Sequence, residues 1–189
     1  NYAILFIQFD YLDEAETVLL RAEQIYLKKL GENNQRYSNC LSNLSSLYLH
    51  KKNYNKALEY TNRSLRLMES NGADKTDKYA SYLSVRGSIE VEMDEYDSAI
   101  NTYKQSANIY KTLFSEKDFN YVDMIFNIAT IYDVAKKPKQ ARSYFLKSMY
   151  NYKQIIENNF VSMSEEEKYD FYATNNLKLH LFYDFVTRM

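Results

Sequence analysis

One cysteine, two histidines and a run of glutamates are the residues whose types suit catalysis or metal binding in this 189-residue chain. Cys40 and His50 suggest a thiol–imidazole pair, in which the histidine activates a nucleophilic sulfur. They lie ten residues apart on one predicted helix, about 15 Å along its axis and far beyond hydrogen-bond reach. His180 has no histidine or cysteine at ligand spacing, and Glu165–Glu167 fit a helix's first turn, where carboxylates favour the dipole. We therefore expect no catalytic residue, no metal site and no cofactor, and hence no enzyme.

The composition narrows the class of protein further. A net charge of −1 gives no electrostatic basis for binding nucleic acid or an anionic membrane, and no apolar run approaches the ~18 residues that span a bilayer. A lone cysteine fits a reducing compartment, which predicts a cytoplasmic location. The chain begins at Asn1 inside a helical pattern, so we expect it to be a segment of a longer protein. Three glycines and one proline favour long helices with short connections.

Small residues recur with a period of 42, and this repeat determines the predicted fold. Four alanines define the register, and further small residues lie twelve positions before and seven positions after each of them. The alanines are Ala15, Ala57, Ala99 and Ala141; the earlier positions hold Ala3, Ser45, Gly87 and Ala129, and the later ones Ala22, Ser64, Ser106 and Ser148. Small side chains let helices approach closely where they cross, so the pattern predicts stacked helical hairpins.

The best copy of the repeat reads Ile125, Ile128, Ala129, Tyr132, Ala141 and Phe145. This arrangement of small and bulky residues resembles the tetratricopeptide pattern, whose usual period is ~34 residues. The 42-residue form resembles the repeats of kinesin light chains and of many bacterial arrays. The resemblance implies an all-α fold, a right-handed α-solenoid of antiparallel hairpins over residues 1–160, with about three full repeats after a truncated one. Arg86, Glu90 and Thr61 depart from the pattern, and we expect them to weaken packing locally.

The hairpins place the helices at about 12–30, 35–51, 54–70, 77–93, 96–114, 119–135 and 138–158, after a truncated first helix over residues 1–9. Gly31 is predicted to end a helix and Pro138 to begin one, and the aspartates Asp10 and Asp94 are expected to favour helix starts. Ser164 and Glu167 form a predicted capping box for a helix over 165–188. Because this helix is off the register, residues 161–189 are predicted to be a cap or connector. They also resemble the segment that joins bacterial repeat arrays to caspase-like CHAT domains.

A binding groove follows from the resemblance, because the first helices of such hairpins line a concave face. The positions two residues before the small residue of each first helix (Ala3, Ser45, Gly87 and Ala129) hold Asn1, Asn43, Val85 and Asn127. An asparagine amide can both donate to and accept from a peptide backbone. The complete candidate groove contains Asn39, Asn43, Ser46, His50, Ser81, Ser84, Ser88, Glu92, Asp123, Asn127, Thr130 and Asp133, with Ser42 as a neighbour. The alternative is that these polar residues form the ordinary solvent-facing side of amphipathic helices.

The leading hypothesis is therefore a scaffold that binds a peptide or protein segment in its groove. The groove residues include no lysine or arginine, which disfavours a C-terminal carboxylate ligand, and the carboxylates Glu92, Asp123 and Asp133 favour a neutral or basic one. Three alternatives remain. In the first, the chain would be a regulatory arm of a CHAT protease; in the second, it would be attached to an effector domain and would sense a short peptide. In the third, it would self-associate through apolar surface near Leu5 and Phe6.

Overall fold

The structure is a computed structural model that describes residues 2–159 and 163–188, and the described residues form helices joined by short turns. The helices are α1 (Tyr2–Gln8), α2 (Leu12–Leu30), α3 (Gln35–His50), α4 (Tyr54–Ser70), α5 (Asp77–Glu92), α6 (Tyr96–Phe114), α7 (Phe119–Val134), α8 (Pro138–Asn159) and α9 (Glu165–Thr187). The chain divides into two compact units, residues 1–102 (unit 1) and residues 103–189 (unit 2). Asn1 and the side chain of Ala3 lie outside what the structure describes.

The turns within the four hairpins repeat one backbone geometry. Each contains a non-glycine residue with positive φ, at Asp10 (64°), Lys52 (54°), Asp94 (60°) and Lys136 (56°). The next residue's N–H donates to a carbonyl five positions earlier, as Tyr11 does to Phe6 and Asn53 to Tyr48, both at 2.8 Å. This is the Schellman ending of a helix. The expectation for the two aspartates was therefore wrong: Asp10 and Asp94 end the preceding helix in the left-handed conformation, which short polar side chains tolerate.

Helix starts are fixed mainly by side-chain caps. Asn34, Asn53, Thr76 and Asp118 each accept a hydrogen bond from a backbone N–H in the first turn of α3, α4, α5 and α7. Ser164 and Glu167 form the predicted capping box of α9, and α8 begins at Pro138. Such caps satisfy N–H groups that have no partner within the helix. The predicted bounds of α2 to α9 agree with the structure to within one residue.

In unit 1 the small positions lie in the core, as the repeat predicts. Ala15, Ala57 and Ala99 are 0% exposed, and Leu41 and Leu44 are also completely buried. Tyr48 stacks on Tyr60 from the second helix of the same hairpin, with 5.5 Å between the ring centroids. The tyrosines here contribute to the core and not only to the surface.

The third repeat replaces this aromatic pair with an ion pair. Glu90, at the position equivalent to Tyr48, is 1% exposed. Its Oε1 accepts from Arg86 Nε at 2.8 Å and from Ser98 Oγ at 2.9 Å, whereas its buried Oε2 has no hydrogen-bond partner among the described residues. The two departures in this repeat thus compensate each other, which the expectation of simply weaker packing did not include.

Unit 2 repeats the hairpin core and adds the last helix to it. Ala129 and Ala141 are completely buried in a cluster with Phe126, Phe145 and Phe185 of α9. The rings of Phe145 and Phe185 have their centroids 4.8 Å apart. The off-register helix therefore packs on the α7–α8 hairpin through an aromatic side chain.

Near the N-terminus, only part of the expected apolar surface is exposed. Leu5 is 48% exposed, but Phe6 is half-buried and packs edge-on against the ring of Tyr11. Of the two residues named for self-association, Leu5 is therefore the exposed one. No helix within the described ranges has the length and apolarity needed to cross a membrane.

Candidate functional site

The structure places the cysteine in the core and both histidines at the surface. Cys40 is buried, its Sγ lies 3.4 Å from the carbonyl oxygen of Leu19, and burial, with a smaller effect of Glu23, raises the pKa of the thiol to about 11. A thiolate, the reactive form, is therefore disfavoured. His50 and His180 are both exposed. Residues 2–159 and 163–188 contain no group of three or more His, Cys, Asp or Glu side chains that could hold a metal ion.

The site with the strongest case is a cleft in unit 1 between α3, α4 and α5. It has a volume of about 340 Å³ and is lined by Ser42, Asn43, Ser45, Ser46, Leu49, Thr61, Ser64, Tyr82 and Val85. Asn43 and Ser46 belong to the groove predicted from the sequence, and Val85 belongs to the register of Asn43. The structure thus brings one part of the predicted face to a concave site.

The origin of the cleft lies in the register of Thr61. The equivalent positions in the next two copies hold large aromatic residues, Tyr103 and Phe145, each almost completely buried. Thr61 is also buried, but it is much smaller, and its Oγ1 donates to the carbonyl oxygen of Ala57 at 2.9 Å. The space that an aromatic ring occupies elsewhere is therefore open between these three helices.

The cleft has a polar floor and partly apolar walls. Ser45 Oγ lies 2.6 Å from Thr61 Oγ1 and 3.1 Å from the Ala57 carbonyl oxygen. Ser64 is 1% exposed, and its Oγ has no hydrogen-bond partner among the described residues. Leu49, Tyr82 and Val85 add apolar surface, and none of the lining residues is charged. Such a site suits an uncharged group that makes hydrogen bonds.

The other predicted residues of α3 and α5 lie outside this cleft. Asn39 Oδ1 accepts from Gln35 Nε2 and from Lys78 Nζ at 2.8 and 2.9 Å. His50 lines an open hollow at the turns, beside Asp10 and Lys51. Ser81 is exposed, Ser88 donates to the carbonyl of Ser84, and Glu92 accepts from the hydroxyl of Tyr54 at 2.9 Å.

In unit 2 the predicted groove residues of α7 face the last helix. Asp123 forms an ion pair with Lys178 at 2.5 Å, and Asp133 pairs with Arg188 at 2.7 Å. Asn127 and Thr130 are half-buried between them, and Thr130 Oγ1 donates to the carbonyl of Asn127 at 2.8 Å. Two of the three carboxylates predicted to favour a basic ligand thus already have cations from α9 of the same chain.

A second cleft of similar volume lies at the other side of α4 and has charged walls. Arg63 and Arg66 line it with Glu32 and Tyr37, but Arg63 is already engaged by the Tyr37 hydroxyl and by Glu23. Arg63 is therefore part of a structural network, and this cleft offers less to a ligand than the uncharged one.

Sequence reasoning missed three lining residues of the unit 1 cleft that matter most: Thr61, Ser64 and Tyr82. One signal was available, because Thr61 was the exception to the bulky register. Ser64 belonged to a small-residue register, where burial was expected but an unpartnered hydroxyl was not predictable.

The comparisons with known proteins agree with the repeat. Residues 1–70 match the tetratricopeptide repeat family model. The fold is similar to the crystal structure of BtubC (BKLC) from P. vanneervenii, with a TM-score of 0.77 and 18% identity over 98% of this chain and 70% of that one. It is also similar to a Podosopora anserina protein named for kinesin light chain, with nearly identical TPR-like repeats. There the TM-score is 0.70 at 12% identity, over 98% of this chain and 89% of the other.

A search of curated proteins finds no match. The family match covers residues 1–70, and the similarity to solved structures extends the likeness in fold to almost the whole chain. Residues 1–70 therefore match the tetratricopeptide repeat family, and the fold of the described residues is the all-α hairpin fold of the TPR-like structures.

Proposed function

We propose that this chain is a protein-interaction module that binds an extended protein segment on the face formed by α3 and α5 of unit 1. Tetratricopeptide repeats in general serve as scaffolds for protein partners, and the family match includes α3 and α4. The observation that supports this location is the uncharged cleft lined by Asn43, Ser46 and Val85. No catalytic step is part of the proposal.

Asn43 is the residue that we expect to hold the segment's backbone. Its amide can donate to a peptide carbonyl and accept from a peptide N–H, so it recognises an extended chain whatever its side chains are. Ser42 and Ser46 supply further hydrogen-bonding groups along α3, and Leu49 and Val85 supply apolar contact. Because no lining residue is cationic, a free C-terminal carboxylate is a poor ligand for this site.

The test is a selection of random nine-residue peptides displayed on phage against the whole chain, followed by affinity measurements on the selected peptides. Asn43→Ala removes the amide, and Asn55→Ala is the matched control because Asn55 is exposed on α4 in the same unit and does not line the cleft. Two hydrogen bonds contribute about 1–3 kcal/mol, so Asn43→Ala should weaken binding at least about fivefold. Equal affinity of the peptides for wild type and Asn43→Ala would contradict the proposal.

A regulatory arm is the second candidate, favoured by the ion pairs that hold α9 on α7. Lys178 and Arg188 pair with Asp123 and Asp133, so a partner that competes for these carboxylates would release α9. Replacing both cations with glutamine should accelerate hydrogen exchange in α9 about tenfold, since two partly exposed pairs contribute on the order of 1.4 kcal/mol together. Lys168→Gln is the control, because Lys168 pairs within α9. Unchanged exchange in the double variant would remove this candidate.

A further inference from the structure

We infer that the unit 1 cleft is a specificity pocket for a primary amide side chain, glutamine above others, carried by the bound segment. The inference rests on the proposed function, because it names the side chain that accompanies the backbone held by Asn43. It follows from three properties of the cleft: the hydrogen bonds left open on its floor, the absence of charge in its lining, and its size and shape.

The floor offers acceptors and one free hydroxyl. Ser45 and Thr61 have one hydroxyl hydrogen each, and within the described part of the chain their hydroxyls bond to each other and to the Ala57 carbonyl oxygen. Whichever oxygen each hydrogen points to, both hydrogens are used within this group, and lone pairs alone remain for a ligand. Ser64 Oγ has no partner within residues 2–159 and 163–188, so it can both donate and accept.

A primary amide matches this floor because it carries both kinds of group. Its NH₂ has two hydrogens to donate to hydroxyl oxygens, and its carbonyl accepts from the Ser64 hydroxyl. A carboxylate cannot donate, and it would lose its hydration without meeting a cation. An ammonium would meet no carboxylate, since the lining contains no charged residue. An aliphatic side chain would leave the Ser64 hydroxyl buried without a partner.

The walls and the size favour glutamine over shorter amides. Leu49, Val85 and the ring of Tyr82 provide apolar surface, against which the two methylene groups of glutamine can pack. The volume of about 340 Å³ lies at the low end of the range for small-ligand sites, roughly 300–1,000 Å³. It therefore suits one side chain and the adjoining backbone rather than a large ligand.

The equivalent serine in unit 2 shows how the Ser64 hydroxyl differs. Ser148 lies in the same register, is equally buried, and donates to the carbonyl of Phe145 at 2.9 Å. The hydroxyl of a serine in a helix commonly donates in this way to a backbone carbonyl of the preceding turn. Ser64 makes no such bond among the described residues, so its buried hydroxyl keeps both its hydrogen and its lone pairs for a ligand that reaches the floor of the cleft.

The experiment uses three blocked amino acids with identical ends: the N-acetyl methylamides of glutamine, glutamate and leucine. Each is titrated into the ¹⁵N-labelled 189-residue chain, and amide shifts are followed by NMR. The glutamine compound should give saturable shifts at Ser64 and Val85 with a Kd on the order of 1 mM, as expected for about fourteen non-hydrogen atoms at ordinary efficiency. The other two should bind at least tenfold more weakly.

Three variants test the assignment of the site. Ser64→Ala removes the free hydroxyl, and Thr61→Phe restores the aromatic residue of the register and fills the cleft; both should weaken glutamine binding at least tenfold. Ser148→Ala should leave it unchanged. Binding of the leucine or glutamate compound as tight as that of glutamine, or no saturable shift with any probe, would overturn the inference. Selected peptides that require Asn43 but show no glutamine preference would also overturn it, while leaving the proposed function intact.

Discussion

The buried ion pair of the third repeat can be tested by changing it to the residues of its neighbours. Arg86 is equivalent to Leu44 in the second repeat, and Glu90 to Tyr48. Arg86→Leu leaves a carboxylate that is 1% exposed without its cation. Breaking a buried pair in this way costs about 3–5 kcal/mol. Because the Arg86 side chain is 37% exposed and Ser98 still donates to Glu90, we expect the low end, about 3 kcal/mol.

The double variant, Arg86→Leu with Glu90→Tyr, removes both charges and so shows whether the ion pair itself stabilises the fold. Replacing both charges with apolar groups of suitable shape is often neutral or stabilising, so the double variant should lie within about 1 kcal/mol of wild type. In a chain of this length 1 kcal/mol corresponds to about 2–4 °C in Tm. The single variant should therefore melt about 6–12 °C lower than wild type, and the double variant should recover most of that loss.

Urea unfolding followed by far-UV circular dichroism and by tyrosine fluorescence measures these changes. The chain has 20 tyrosines and no tryptophan, so the fluorescence reports on the stacked hairpins. Repeat arrays can unfold in segments, and coincidence of the two transitions is needed before free energies are compared. If Arg86→Leu unfolds within about 0.5 kcal/mol of wild type, the Glu90 carboxylate does not depend on its cation and the reasoning is refuted.

Three further outcomes are expected. Ser64→Ala should raise the free energy of unfolding by about 1 kcal/mol because it removes an unpartnered buried hydroxyl, whereas Ser148→Ala should lower it by a similar amount; urea titrations that give both changes the same sign would contradict this. Cys40 should react with a thiol reagent at pH 8 only at the rate of unfolding, since its raised pKa and burial suppress the thiolate, and prompt labelling of the native chain would refute it. Hydrogen bonds from Lys51 and then Tyr48 hold the pKa of Glu16 below 4.5, so this stabilisation is present above pH 4.5 and is lost as the pH falls through the folded-state pKa. Lys51→Met should accordingly cost about 0.5–1 kcal/mol at neutral pH and much less in acid, and a cost that persists at pH 2.5 would count against the assignment.

The helices were predictable because the residues that begin and end them act through local interactions. Spaced small residues set the register, and Gly31, Pro138 and the Ser164 capping box mark ends that depend on a few neighbouring residues. The aspartates Asp10 and Asp94 were placed correctly in the turns between helices but given the wrong role, since aspartate is compatible both with a helix start and with a left-handed helix end. Backbone geometry distinguishes the two, and the residue type alone does not.

The site was predictable only in part. Asn43 and Ser46 were identified from their register, but the cleft beside them depends on the absence of a ring at Thr61 and on a hydroxyl of Ser64 that finds no partner. The pairing of Asp123 with Lys178 was not predictable either, because α9 has no repeat register that would fix which face it covers. These features arise from packing between helices, which the local sequence pattern does not fix.

The left-handed residues of the turns recur every 42 positions with nearly the same φ, although two are aspartate and two are lysine. A block such as residues 53–94 therefore starts and finishes at the same point of the hairpin cycle. Duplicating or deleting such a block would join backbone ends that already match in conformation, so the junction would need no new loop. Chains of this kind can change length by whole modules during evolution, and an engineer can do the same with a single splice.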